Sequence, residues 1–404
     1  MRHALVLALS LVVIGASPAA AQPETRGPMP FTTWDAGMVS LDGTMIHVVV
    51  YYPTAPVEAV PLLAVVHGAG RTGRYMTEMA STFASRGYVA LVPDMPCAPW
   101  SCDHAANARQ IRALLAWGVA RGADGASVIA GRVDASRQGV VGHSWGGLAV
   151  FLAAQGNPDI DAVVVLDPND DRGIAAAAAP TVTQPSAHVM AEVMGTCNAT
   201  NWKDTVFPST PAPHMRVVVS GAGHCDVEDP TDGLCAALCT AGAGSSTTPT
   251  FRRYAVAFMG CVLQGDGAMA PWIGGSGLDA DVSSARLGYV STSGLGSLPC
   301  NAMPGDAGVD LDAGPAPDAA SDLDAGGVVD ASGQVDASSA LDAGAGNDAG
   351  SPARDAAMDA APTGASSPAG CGCHLAQRGT GGVGWVLALA ALLAHRASRR
   401  HALV

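Results

Sequence analysis

The chain has 404 residues, enough for one large domain or two ordinary ones, and a formal net charge of -14. Its acidic balance, with no Arg/Lys stripe, excludes a nucleic-acid-binding role and argues against electrostatic capture of anionic substrates. The charge is uneven: residues 301–368 hold 12 Asp against one Arg, whereas residues 22–300 hold 23 acidic and 15 basic side chains.

The chain opens Met1-Arg2-His3, runs apolar from Ala4 to Ile14, and reaches Ala19-Ala20-Ala21. A basic start, a short apolar core and an A-x-A site predict a secretory signal peptide over 1–21. Ten cysteines follow, eight of them within 22–300: Cys97, Cys102, Cys197, Cys225, Cys235, Cys239, Cys261 and Cys300. An even number in an exported protein predicts up to four disulfides. Nearness in the chain suggests Cys97 with Cys102 and Cys261 with Cys300; the remaining pairings stay open. A zinc site at Cys235-x-x-x-Cys239 competes, but it has no partner pair at ligand spacing.

Residues 44–52 are β-branched and apolar and predict an early strand, with 53–61 a turn region. The run 62–66 (LLAVV) reads as a strand covered on both faces and ends in His67-Gly68-Ala69-Gly70. A helix over 75–85, a buried strand over 88–92 and a helix over 105–121 follow. The apolar run Gly139-Val140-Val141 then leads into Gly142-His143-Ser144-Trp145-Gly146, a G-x-S-x-G, and a helix from Gly147. Strand, sharp turn and helix in that order are what a nucleophile elbow requires. Further strands are predicted at 161–166, 186–193 and 215–219. Buried strands alternating with helices imply a mostly parallel, doubly wound α/β sheet flanked by helices. The chemistry of such sheets gathers beyond the carboxyl ends of the strands, which Ser144, Asp167 and His224 each follow.

From Asn301 the composition changes. Asp recurs at 306, 312, 318, 324, 330, 336, 342 and 348, each time followed by Ala. A hexapeptide β-helix is one reading. The repeat is too polar and short to bury a core, and a disordered, self-repelling linker over 301–368 is the better one. No EF-hand calcium loop is present. Residues 369–404 carry Cys371-Gly372-Cys373, an apolar run over 383–394 and closing arginines. That run is short for a membrane span and fits a processed sorting signal.

Ester hydrolysis needs a nucleophile, a base, an acid to orient the base, and donors for the oxyanion. Ser144 is the candidate nucleophile. His224 is the candidate base, on a Gly-rich loop after the last clear strand. Among the other histidines, His143 is expected to point away from the site, His47 and His188 lie in strands, and His67 opens the oxyanion loop. Asp167 is the candidate acid, with Asp170 and Asp171 close competitors and Asp204 past the next strand, where many α/β-hydrolases place theirs. The oxyanion donors are the backbone N–H groups of Ala69 and Trp145. The loops 94–104 and 168–185 are expected to shape the pocket.

Over roughly residues 40–265 these motifs resemble the chlorophyllase-like branch of the α/β-hydrolase superfamily, close to platelet-activating-factor acetylhydrolase-like and polyester-hydrolase-like esterases. The residues carrying the resemblance are His67-Gly68-Ala69-Gly70, Gly142-His143-Ser144-Trp145-Gly146-Gly147, Val165-Leu166-Asp167-Pro168 and Gly223-His224-Cys225-Asp226. The first two of these groups place the acid just after the strand following the elbow, which favours Asp167. Trp145 departs from chlorophyllases, which tend to carry Arg there. The C-terminus looks like the Cys-Gly-Cys sorting signals of myxobacterial surface proteins, which implies processing near Cys371.

The expected molecule is thus an exported or surface-anchored serine hydrolase over 22–300, monomeric, acting on a small-molecule, lipid or polymer ester. No metal or cofactor is required, and membrane contact comes only through the C-terminal signal. A non-catalytic surface adhesion protein, or a peptidase or acyltransferase on the same fold, is the alternative.

Overall fold

The computed structural model describes residues 22–301 apart from 56–57, 99–100, 200–201, 240–241 and 243. The predicted signal peptide, linker and sorting signal lie outside the described residues.

Among the described residues, nine strands form one sheet: β1 (Phe31–Leu41), β2 (Thr44–Pro53), β3 (Val60–Val66), β4 (Val89–Pro93), β5 (Val133–His143), β6 (Ala162–Leu166), β7 (Ser186–Ala191), β8 (His214–Val219) and β9 (Leu287–Ser293). Their spatial order is β1-β2-β4-β3-β5-β6-β7-β8-β9. Neighbours from β4 through β3, β5, β6 and β7 to β8 pair in parallel, whereas β1/β2, β2/β4 and β8/β9 are antiparallel. This is the α/β-hydrolase fold.

The pattern of the inner strands explains the layering. Side chains along a strand alternate between the faces of the sheet, so a strand covered on both faces must be apolar throughout. In β3, Leu63 and Val65 enter one core while Leu62, Ala64 and Val66 enter the other. The first core is closed by helix α1 (Thr77–Ala84) and the helix Thr248–Met259. The second is closed by α2 (His104–Ala123) and α3 (Trp145–Ala154).

Some elements differ from expectation. The edge strands β1 and β9 and the helix Thr248–Met259 carry no clear signal in the sequence. β3 begins at Val60, inside the stretch expected as a turn, because Val60 and Pro61 pair with Val133 and Asp134 of β5. The first turn of the helix expected over 75–85 is a tighter 3₁₀ turn, Gly73–Met76.

Disulfides join Cys97–Cys102 and Cys261–Cys300, as nearness suggested, and also Cys197–Cys239 and Cys225–Cys235. Cys235 and Cys239 therefore go to different partners. Their sulfurs are spent in S–S bonds, which removes the zinc reading.

Candidate active site

β5 ends at His143 and α3 begins at Trp145, leaving Ser144 alone to reverse the chain with φ 55° and ψ -125°. A non-glycine residue held there costs on the order of 1–3 kcal/mol, which the surrounding packing must offset. Two glycines make the turn possible. A Cβ on Gly142 would sit 2.3 Å from the Gly146 carbonyl oxygen, and one on Gly146 would sit 2.2 Å from that of His67. With neither present, strand, helix and oxyanion loop close around the serine. Ser144 N–H donates to the Leu166 carbonyl at 3.0 Å and so ties the turn to β6.

The sheet brings three distant residues together. Ser144 Oγ lies 2.9 Å from His224 Nε2, and His224 Nδ1 lies 2.6 Å from Asp167 Oδ2. All three are buried, with relative exposures of 7, 3 and 1 % for Ser144, His224 and Asp167. A carboxylate only accepts, so Nδ1 carries the proton and Nε2 presents its lone pair to the hydroxyl. Asp167 is held in turn by Ala191 N–H on Oδ1 and by Asn198 Nδ2 on Oδ2, both at 2.9 Å.

The competing aspartates are engaged elsewhere. Asp170 accepts from the N–H groups of Ala175 and Ala176 at the start of a short helix. Asp171 faces His104 and Arg172. Asp204 is exposed in the turn Trp202–Val206.

His143 corrects an expectation. It does not point away: it lines the cleft, its ring lies 4.7 Å from that of His224, and its Nε2–H donates to the His224 carbonyl at 3.0 Å. Burial, reinforced by His224 nearby, holds its pKa well below the usual value. The space comes from Gly68, where a Cβ would stand 3.2 Å from His143 Nδ1. The other histidines have structural partners. His67 donates from Nδ1 to the Gly68 carbonyl and accepts Met95 N–H on Nε2. His188 is enclosed between Trp202 Nε1–H and the Ser186 hydroxyl, and burial pushes its pKa down to about 3. His47 sits between Asp35 and Asp94.

Ser144 lies at the base of a cleft of about 480 Å³. Ala69 and Trp145 line it beside the serine, at the oxyanion loop and the first turn of α3. Gly70 N–H to the Cys97 carbonyl, at 2.6 Å, pins that loop. The indole of Trp145 packs edge-on against His104 at 5.1 Å. Arg71 in the wall is held by two carboxylates: Nε and Nη2 donate to the two oxygens of Glu228 at 2.8 and 2.6 Å, and Nη2 also donates to Asp232 Oδ1 at 3.0 Å. Arg71 also stacks 3.4 Å above the Tyr75 ring. Leu234 and Leu238, 57 and 62 % exposed, stand one helical turn apart on the rim.

The loops expected to shape this cleft are largely the wrong ones. Among the described residues of 94–104 and 168–185, only Asn169 lines it. Thr196, Cys197, Glu228, Leu234, Cys235, Leu238 and Cys239 do so instead. No periodicity marks those segments. The one available signal was their cysteines, because Cys197–Cys239 and Cys225–Cys235 fold them over the site.

With this geometry in place, comparison with known proteins adds a family likeness. A family profile described as PETase, PET hydrolase-like, matches residues 10–198. The chain is also 30% identical over 195 residues to bis(hydroxyethyl) terephthalate hydrolase of Streptomyces coelicolor, an alignment taking in 44% of this chain. The chain spans about 60% of the length of that relative. The similarity is to α/β-hydrolases of the PET hydrolase-like kind. The profile match stops before His224, so the candidate base rests on the geometry alone.

Proposed function

We propose that this chain is a serine hydrolase of carboxylic esters. The observation that carries the reading is the continuous hydrogen-bonded line Ser144–His224–Asp167, whose first two members line the cleft. Ser144 Oγ attacks the ester carbonyl while His224 Nε2 takes its proton, and Asp167 steadies the imidazolium that forms. The amides of Ala69 and Trp145 hold the tetrahedral oxyanion. His224 returns the proton to the departing alcohol, and water then cleaves the acyl-enzyme by the reverse path.

The wall supports a substrate that carries no negative charge, because the Arg71 guanidinium is already paired with Glu228 and Asp232 and is not free for an anionic ligand. A cleft of about 480 Å³ is far larger than an acetyl group needs and suits an aromatic or medium-chain acyl group. The likeness to a terephthalate-ester hydrolase points the same way. The acid directly after β6 is the arrangement of the chlorophyllase-like and acetylhydrolase-like esterases, and we place the chain nearer to those. Four disulfides and the predicted signal peptide support export, and the C-terminal Cys371-Gly372-Cys373 supports retention at the cell surface.

The test is a panel of acetyl, butyryl, octanoyl and benzoyl p-nitrophenyl esters with bis(hydroxyethyl) terephthalate. Turnover should favour the larger acyl groups and disappear in Ser144→Ala. Hydrolysis of none of them by the parent would favour the adhesion reading. Faster turnover of amides, or transfer to added alcohols, would favour the peptidase or acyltransferase reading.

A further inference from the structure

We propose that Asn198 is a positioning residue that fixes the basicity and the rotamer of Asp167. The inference rests on the triad reading and adds a fourth member to it. Asn198 is 3 % exposed, and its Nδ2 lies 2.9 Å from Asp167 Oδ2, the same oxygen that accepts His224 Nδ1–H at 2.6 Å.

The amide cannot be turned round. Its Oδ1 accepts Gly195 N–H at 2.7 Å, and its Nδ2 also faces the Val193 carbonyl at 3.2 Å. A flipped amide would set N–H against N–H and put an oxygen beside a carboxylate and a carbonyl, so the network allows one orientation only. Asn198 is thus a fixed donor aimed at the acid. Its own turn is anchored twice at the preceding residue. Cys197 is bonded to Cys239, and the Cys197 carbonyl accepts from Asn169 Nδ2 at 2.6 Å.

The placement has a structural logic. Many α/β-hydrolases carry their acid beyond the strand that corresponds to β7. Here the acid stands just past the end of β6, and the end of β7 and the loop after it supply its donors instead, Ala191 N–H to one oxygen and Asn198 Nδ2 to the other. With these donors the carboxylate is held in the plane that points Oδ2 at His224. A carboxylate stripped of one donor accepts more strongly from its remaining partner and can also rotate. Loss of Asn198 would therefore hold the imidazolium more tightly and loosen its aim at Ser144.

The decisive variant is Asn198→Ser. A serine can still accept Gly195 N–H and keep the turn, but it is too short to reach Asp167. Asn198→Ala serves as a second variant that removes all three side-chain hydrogen bonds, to Gly195, Asp167 and Val193. On p-nitrophenyl butyrate, Asn198→Ser should lower kcat by roughly 10–100-fold with little change in KM, as expected when a reacting group is misaimed while the substrate is still held as before. The acidic limb of the kcat/KM–pH profile should move to higher pH by about half a unit or more. The other ionisable groups around the imidazole are untouched by the change: His143 from β5, Arg71 and Glu228 in the cleft wall, and Asp226 in its own turn.

A readout that needs no substrate is the low-field proton resonance of His224 Nδ1–H, which should shift in Asn198→Ser relative to the parent. If the parent hydrolyses no ester, the triad reading fails while this resonance still reports whether Asn198 holds Asp167. An unchanged resonance and an unmoved acidic limb in Asn198→Ser would overturn the proposal, whatever the change in rate. A rise in KM at constant kcat would overturn it as well.

Discussion

His143 and His224 pack ring to ring, with centroids 4.7 Å apart, and His143 Nε2–H donates to the His224 backbone carbonyl at 3.0 Å. The residue before the candidate nucleophile therefore carries the loop of the candidate base. Replacement of His143 by Leu keeps an apolar filler but removes this buried hydrogen bond, a cost of about 0.5–1.5 kcal/mol. The expected outcome is a fall of roughly 10-fold or more in kcat on p-nitrophenyl butyrate. His143→Gln, which can still donate, should recover part of it. Equal activity in both variants would show that the interaction is packing alone.

Three of the four candidate aspartates make a direct comparison. Asp167→Asn should lower kcat by roughly 10⁴-fold, because an amide favours the wrong imidazole tautomer. Asp204→Asn, at an exposed position, should leave kcat unchanged. Asp170→Asn should lower the melting temperature by a few degrees, since that side chain accepts from Ala175 and Ala176 N–H, while keeping kcat within about threefold. Steady-state kinetics on the three purified variants decide the order.

Acid should destabilise this fold above the range in which carboxylates titrate. Desolvation depresses the pKa of the buried His67, His143 and His188, in the last case from 6.5 to about 3. Above pH 6.5 these groups are neutral in both the folded and the unfolded chain and contribute nothing. Below it the unfolded chain takes up protons that the folded chain refuses, so stability falls as the pH drops from 6.5 towards the folded values. His188 alone accounts for roughly 2–3 kcal/mol by pH 4.5. Urea midpoints should therefore decline steadily between pH 7 and 4.5. A flat profile over that window would contradict the burial of these rings.

The two disulfides over the cleft should matter more to rate than to global stability. Cys225 adjoins His224 and pairs with Cys235; Cys197 adjoins Asn198 and pairs with Cys239. The ligand atoms of Cys197, Cys239 and His224 lie within 4.8 Å of one another, so this bridge packs against the imidazole. In the double variant Cys197→Ser/Cys239→Ser, kcat should drop by roughly 10-fold or more through loss of alignment. Comparison of kcat with the thermal midpoint checks this: a midpoint that collapses while the rate per folded molecule holds would place the role of the bridge in the fold instead.

Legibility in the sequence follows burial. Strands such as β3 and β6 are covered on both faces, so their residues are apolar without interruption, and that is a plain signal. β1 and β9 sit at the sheet edges with most side chains half-buried or exposed, and their composition is accordingly mixed. The elbow was readable because Gly142 and Gly146 are forced by approaches of 2.3 and 2.2 Å. The direction of His143 was not readable, because it depends on the missing side chain of Gly68, 75 positions earlier in the chain. Asn198 and the walls from 194 to 239 were not readable either. Tertiary hydrogen bonds and cross-loop disulfides place them, and neither leaves a periodic trace.

The central claim is that the Ser144 hydroxyl is made nucleophilic by His224. The most direct measurement is the rate of labelling by a fluorophosphonate probe, with the adduct located by mass spectrometry of peptides. The account predicts one adduct per chain, on Ser144, formed readily in the parent, absent in Ser144→Ala, and slowed at least roughly 10³-fold in His224→Ala. A parent that takes up no probe, or a His224→Ala variant labelled as fast as the parent, would contradict it.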